Sequence, residues 1–193
     1  MARTQATDYE ERREAILDKA AALFAKSGFL GTSVSDIALA CKTSKSLLYH
    51  YYPSKDDVLY AVMQSHIDSL LEDVSGLREL SGSAKERLRI LLKMFMKHYI
   101  GAANRQKVLL NELGNLPEDR KAIIVAKQRD VVDAVQSLLL LIHPELSQSA
   151  KQARAKTMLL FGMINWTMTW YNPTGGLSAE ELVDMIVEMI VAG

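Results

Sequence analysis

Apolar residues recur along the chain at spacings of three and four rather than two, which is the pattern of helices that bury one stripe. Ile16, Ala20, Leu23 and Phe24 stand at i, i+4, i+7 and i+8, and Gly28 follows as a stop signal. This predicts a first helix over residues 9–27. Ser33 precedes Val34, Ile37 and Ala38, with Asp36 three positions on, a capping-box-like start for a short second helix. A third short segment begins at Ser44 and carries Leu47, Leu48, Tyr49 and Tyr51. After Pro53, Ser54 can cap a longer fourth helix over 55–75, whose buried face includes Val58, Leu59, Val62, Ile67, Leu70 and Val74.

A loop around Gly82 leads to a helix over 84–100, with Leu88, Leu91, Leu92, Phe95 and Tyr99 on one side. A shorter one is predicted over 105–113. Pro117 suits the first turn of the next helix, where its missing N–H has no intrahelical role, and that helix reads 118–142 up to Pro144. A long helix over 146–171 ends at Pro173, Gly175 and Gly176, and Ser178 with Glu181 forms a capping box for a last helix to residue 191. The pattern gives about nine helices and no strand: an all-α fold, with an N-terminal three-helix part and a larger helical remainder.

Composition adds limits. The 193 residues are 49% hydrophobic and 24% charged, as in ordinary globular proteins. No apolar run approaches the ~18 residues of a membrane span, and the N-terminus runs from Met1 into polar residues without a signal-peptide core, so no membrane partner and a cytoplasmic location are expected. The single cysteine, Cys41, fits a reducing compartment. Lys and Arg number 23 against 23 Asp and Glu, and this zero net charge argues at first sight against a nucleic-acid binder.

The most informative segment is residues 31–55, two short helices joined by about three residues, Cys41 to Thr43. This is the length pattern of a helix-turn-helix, whose second helix enters the DNA major groove while the first crosses the backbone, although short helix pairs also occur purely for packing. The run TSVSDIALACKTSKSLLYHYYPSKDDVL over residues 32–59 resembles the DNA-binding signature of the tetracycline-repressor family of bacterial transcription factors. The resemblance is carried by Ile37 and Ala38, Ser44 and Lys45, the run from Leu48 to Tyr52, and Ser54 with Lys55, behind an amphipathic helix ending at Gly28. It covers about the first 60 residues; beyond them it rests on size and helix count.

The resemblance implies a homodimer with a DNA-binding domain, residues 1–55, and a ligand-binding and dimerisation domain, residues 56–193. The family usually has glycine where Lys42 stands, which implies a left-handed turn residue here. The usual Val, Gly and Phe are likewise replaced by Thr43, Ser46 and Tyr52. By residue type, Thr32 and Ser33 offer hydroxyls and helix-terminal N–H groups to phosphate. Lys45, Tyr49, His50 and Lys55 can reach phosphates beside the groove. Ser44, Ser46 and Leu47 bring the third helix close to base edges, Leu47 toward a thymine methyl. Tyr51 and Leu48 read as core, and Tyr49 as either packing or phosphate contact.

Methionines and aromatics cluster in two helices of the larger part, where they suit either an adaptable apolar pocket or plain core. Candidate ligand-binding residues are Met94, Phe95, His98, Tyr99, Asn111, Phe161, Asn165, Trp166 and Trp170. The segment 162–182 resembles family members that respond to acyl-CoA thioesters, which implies a bulky, largely apolar effector with an acidic portion. The last two helices, with Leu159, Met163, Trp166 and Trp170 on one and Leu182, Met185, Ile186, Met189 and Ile190 on the other, carry enough apolar surface for a four-helix dimer interface, or for an internal core.

Catalytic motifs are missing: the sequence has no Gly-rich phosphate loop, no G-x-S-x-G elbow and no H-E-x-x-H pair. The four histidines, at 50, 66, 98 and 143, are scattered, so no metal, no cofactor and no enzyme activity are expected. The tetrad Gly28 to Gly31 matches a KH-type GXXG loop only superficially, because that fold needs a sheet. The reading is a ligand-responsive, homodimeric transcriptional repressor that binds a pseudo-palindromic double-stranded operator. A helical scaffold that binds other proteins without DNA is the alternative. The neutral charge then needs restating: residues 26–55 hold Lys26, Lys42, Lys45 and Lys55 against Asp36 alone, a local balance of +3.

Overall fold

In a computed structural model, which describes the backbone of residues 2–78 and 81–192 and the side chains of 9–77 and 81–192, the described residues form nine α-helices and no strand. These are α1 (Ala2–Ser27), α2 (Val34–Ala40), α3 (Lys45–Tyr51), α4 (Lys55–Ser75), α5 (Ala84–Gly101), α6 (Ala103–Asn111), α7 (Glu118–Ile142), α8 (Ala150–Trp170) and α9 (Ala179–Val191). Short 3-10 turns cover Gly76–Arg78, Leu113–Asn115 and Pro144–Gln148.

Most boundaries follow from local chemistry. Ser33, Ser83 and Ser178 each accept the N–H of a residue three positions on, and that residue's carboxylate accepts the serine's own N–H, closing three capping boxes. Three expectations shift, the smallest being α6, which runs Ala103–Asn111 rather than 105–113. α1 begins at Ala2 rather than residue 9, because its first turns are polar and show no apolar stripe to read. α8 begins at Ala150 rather than 146, since Pro144 opens a separate 3-10 turn and Ser149 caps the helix by accepting from Gln152 N–H at 3.4 Å.

The chain divides into two compact units. The first contains Met1–Ile67 and Asn104–Ile124, so it is discontinuous in sequence. Its core holds Ile16, Leu17, Ala20 and Phe24 of α1, Ile37 and Ala38 of α2, Leu48 of α3, Leu59, Val62 and Met63 of α4, and Val108 and Leu109 of α6. Arg120 of α7 pairs with Asp57 and lies over the Tyr60 ring, binding the start of α7 to the start of α4.

The second unit contains Asp68–Ala103 and Val125–Gly193. Here α5, α8 and α9 pack on one another, burying Leu88, Leu91, Leu92, Phe95 and Met96 of α5 with Leu160 and Ile164 of α8 and Leu182, Val183, Ile186 and Val187 of α9. Arg89 to Asp184 at 2.8 Å and Lys93 to Glu180 at 3.3 Å add ion pairs between α5 and α9. Buried His143 sits 3.0 Å from the Ile190 carbonyl and 3.0 Å from Glu145.

Candidate functional site

The turn between α2 and α3 is built by backbone bonds. Thr43 N–H donates to the Ala38 carbonyl at 3.0 Å and Lys42 N–H to the Leu39 carbonyl at 3.0 Å, the paired bonds of a Schellman ending. That ending needs a left-handed residue at its first external position, and Lys42 supplies it at φ 52°. Ser44 then caps α3 by accepting from Leu47 N–H at 3.1 Å. The two helices are thus closed off from each other by three residues, and Leu48 anchors α3 with 1% of its surface exposed.

The residues of α3 that the sequence reading assigned to DNA are surface residues. Ser44, Lys45, Ser46, Leu47, Tyr49 and His50 are all exposed. Small hydroxyls at 44 and 46 let the helix axis approach a partner closely, while Lys45, Tyr49 and His50 add one charge and two polar rings. His50 is held edge-on to Tyr51, whose ring packs 4.8 Å from Tyr9 of α1.

Three other residues expected on the DNA face have internal partners. Thr32 is buried and its hydroxyl donates to the Gly28 carbonyl at 2.9 Å. Ser33 is exposed, but its hydroxyl donates to Asp36 at 2.6 Å inside the capping box, and those bonds hold the Asp36 carboxyl below its ordinary range. Lys55 donates through Nζ to the carbonyls of Phe29 at 2.8 Å and Thr32 at 2.9 Å, with the ammonium 4.1 Å from the Phe29 ring centre. The lysine therefore fastens the α1–α2 loop to α4.

Sequence reasoning missed the other half of that fastening. Glu112, just beyond α6, accepts Phe29 N–H at 3.1 Å and an N–H of Asn115 at 2.8 Å. Arg105 of α6 donates to Asp18 at 2.8 Å, Glu14 at 2.8 Å and Ser65 at 2.6 Å. Burial acts against the Arg105 charge, and the bonds from Glu14 and Asp18 overcome it, so its pKa is raised. His66 and Gln106 form a buried pair at 2.5 Å. Apart from Asn115, three residues from Glu112, none of these partners is near in sequence, so no local spacing signals them.

The expected ligand-binding residues separate into groups. Phe95, Tyr99 and Phe161 come together in the second unit, with ring centres 6.3 and 6.4 Å apart from Phe95 outward. Met94 and Asn165 are half-buried, and His98 pairs with Asp73 at 3.0 Å; burial pushes the Asp73 carboxyl up, and His98 opposes that rise. Asn111 belongs to the first unit and is exposed. Trp166 and Trp170 do not join the aromatic cluster. They are 67% and 54% exposed and line a shallow groove of about 590 Å³ with Met158, Leu159, Met185 and Met189. No cluster of three His, Cys, Asp or Glu side chains suited to a metal exists among the described residues, nor is any described helix long and apolar enough to cross a membrane.

Comparison with known proteins agrees with this geometry. Residues 16–62 match the family model "Bacterial regulatory proteins, tetR family", and residues 81–193 match "Tetracyclin repressor-like, C-terminal domain". A TetR-family transcriptional regulator from Bordetella parapertussis superposes with a TM-score of 0.90 at 40% identity, covering 94% of each chain. AibR, solved with isovaleryl coenzyme A and operator DNA, superposes with a TM-score of 0.76 at 28% identity, covering 92% of this chain and 97% of that one. The transcriptional repressor KstR2 of Mycolicibacterium smegmatis is 26% identical, over 94% of this chain and 90% of its own. Two other curated relatives are matched over only 40% and 50% of their own length. With a helix-turn-helix whose reading face is open and family models matched at both ends, the chain belongs to the tetracycline-repressor family of bacterial transcriptional regulators.

Proposed function

We propose that this chain is a ligand-controlled repressor that reads duplex DNA with α3 and changes its operator affinity when a small molecule binds. The observation that carries the reading is the exposed face of α3: two small hydroxyls, a lysine and two polar rings stand together on a helix anchored by Leu48 and preceded by a tight turn. Residues 1–55 serve as the DNA-binding domain and 56–193 as the ligand-binding and dimerisation domain. In a homodimer, two copies of α3 enter successive major grooves about 34–36 Å apart on a pseudo-palindromic operator.

The groove of Trp166, Trp170, Met158, Leu159, Met185 and Met189 supports the second copy, because so many large apolar side chains on two adjacent helices form a contiguous patch of the kind that marks an interface. The effector is a bulky, largely apolar acid derivative of the acyl-CoA class. Support comes from the similarity to AibR and from the aromatic cluster of Phe95, Tyr99 and Phe161, with Met94, His98 and Asn165 on the same helices. α4 contributes residues to both compact units, which makes it the element whose shift passes ligand occupancy to the reader. A differential affinity of about 1–3 kcal/mol changes operator binding roughly 5- to 150-fold, enough for a switch. The regulator works in the cytoplasm, where its operator and a coenzyme A thioester are both present.

The test is a titration of a fluorescent duplex, enriched from a random pool by the protein itself, with isovaleryl coenzyme A and with free coenzyme A. A several-fold change in duplex affinity with the thioester, matched by an equal effect of DNA on thioester binding, is the expected result. Thioester without effect removes the effector assignment; absence of any preferred duplex removes the whole reading.

A further inference from the structure

A second cationic surface flanks the reading helix. Arg12 and Lys19 of α1 and Lys42 of the turn line one open cleft of about 500 Å³ together with Cys41, Leu47 and Tyr51, and no carboxylate is among its lining residues within the described part of the chain. All three cations are exposed. Three acidic residues of α1 are engaged by other cations. Glu10 pairs with Arg13 at 3.1 Å, and Glu14 and Asp18 each meet Arg105 at 2.8 Å. Zero net charge over the chain thus conceals a local sorting, with Glu10, Glu14 and Asp18 each paired to an arginine outside the cleft and Arg12, Lys19 and Lys42 left outward beside α3.

Lys42 adds a second, independent sign. A non-glycine residue at φ 52° is strained, and the Schellman ending would accept glycine without that cost. Strain retained at one position beside a functional surface points to a use for the side chain itself. The cleft shares Leu47 and Tyr51 with α3. When α3 lies in a major groove, surfaces beside its axis meet the phosphate ridge that borders the groove.

We infer that Arg12, Lys19 and Lys42 form a phosphate clamp that grips the DNA backbone beside the half-site read by α3, extending the footprint beyond the reading helix. The inference rests on the DNA-reading role of α3. The clamp supplies sequence-independent affinity and register, and leaves base choice to α3.

The test compares full-length wild type with Lys42→Gly and with Arg12→Gln/Lys19→Gln, using a duplex enriched from a random pool and an unrelated duplex of equal length. Each lost phosphate contact lowers the slope of log affinity against log salt by about 0.9. We expect a shallower slope in both variants and an equal weakening on both duplexes, with the enriched sequence unchanged. For Lys42→Gly, the thermal midpoint should rise while affinity falls. Unchanged slopes in variants of a wild type that binds DNA overturn the clamp alone, as does a lower thermal midpoint for Lys42→Gly, which denies the strain. A wild type that binds neither duplex overturns the reading beneath it.

Discussion

Arg105 holds one carboxylate oxygen of Asp18 with two of its nitrogens, Nε at 3.0 Å and Nη2 at 2.8 Å, across a separation of 87 residues. The same guanidinium reaches Glu14 and, through Nη1, Ser65, so α6 is tied to both α1 and α4 by one largely buried cation. The arrangement sets one positive charge against two α1 carboxylates that remain 55% and 68% exposed. Charge-assisted bonds of this length are the strong class, and they depend on all partners being present.

Replacing Arg105 with Met keeps its volume and removes the bonds. Urea unfolding of Arg105→Met should show a loss of about 2 kcal/mol, the usual size for hydrogen bonds to charged groups. Glu14→Gln should cost less, because that carboxylate is 55% exposed and solvent screens it. Equal stability of wild type and Arg105→Met would contradict the structural role.

Lys55 gives a sharper distinction, because the family motif and the structure assign it different work. A phosphate contact predicts that Lys55→Met weakens DNA binding while leaving the fold intact. Two carbonyl bonds and the Phe29 ring contact predict instead a stability loss of about 1–3 kcal/mol, seen as a lower unfolding midpoint, with weaker DNA binding as a consequence. Thermal unfolding without DNA decides between them; an unchanged midpoint restores the phosphate role.

These two residues show where sequence reading works and where it stops. The bounds of α7 and α9 were legible because Pro117 and the Ser178–Glu181 box act within a few residues of the helix start. The left-handed turn at Lys42 was legible through the glycine that the family usually places there. The separation of buried Leu48 from the exposed residues of α3 was legible through the family resemblance, which marks Leu48 as core and Ser44, Lys45, Ser46 and Leu47 as facing outward. The roles of Lys55, Arg105 and Glu112 depend on partners 23 to 91 residues away, which no periodicity encodes. Trp166 and Trp170, offered by the sequence for either a ligand pocket or a dimer interface, could not be placed for a related reason: a helical stripe reports that a face is apolar and says nothing of whether a neighbour in the same chain covers it.

The groove formed by α8 and α9 predicts its own disruption. Trp166→Glu places a charge in the middle of the apolar face, where burial against a second copy is costly. Sedimentation velocity at micromolar concentration should shift from twice the chain mass in wild type to the 21.5 kDa of one copy in the variant. A variant that sediments like a dimeric wild type places the contact elsewhere.

Acid stability follows from the capping boxes. Serine hydroxyl and N–H donors hold Asp36, Glu86 and Glu181 below their ordinary values of 3.8, 4.5 and 4.5, the Ser33 and Ser83 bonds acting as the Ser178 bonds do. Because the folded values lie below the unfolded ones, this contribution is complete above the ordinary values and is lost as pH falls through the depressed ones. Thermal midpoints should be level from neutrality to roughly pH 5 and fall below about pH 4. The fall should be shallower in Ser83→Ala and Ser178→Ala, and identical acid profiles in all three proteins would remove the capping carboxylates as its cause.

The central claim, that α3 reads base edges in two copies, is tested most directly by enriching duplexes from a random pool with the full-length chain and sequencing the bound fraction. Wild type should select inverted half-sites whose centres lie about 34–36 Å apart, or one helical turn. Leu47→Ala should relax one position in each half-site, and Tyr49→Ala should weaken every duplex alike without changing the selected sequence. Bound pools as random as the input, or the same half-sites selected with equal affinity by all three proteins, would contradict it.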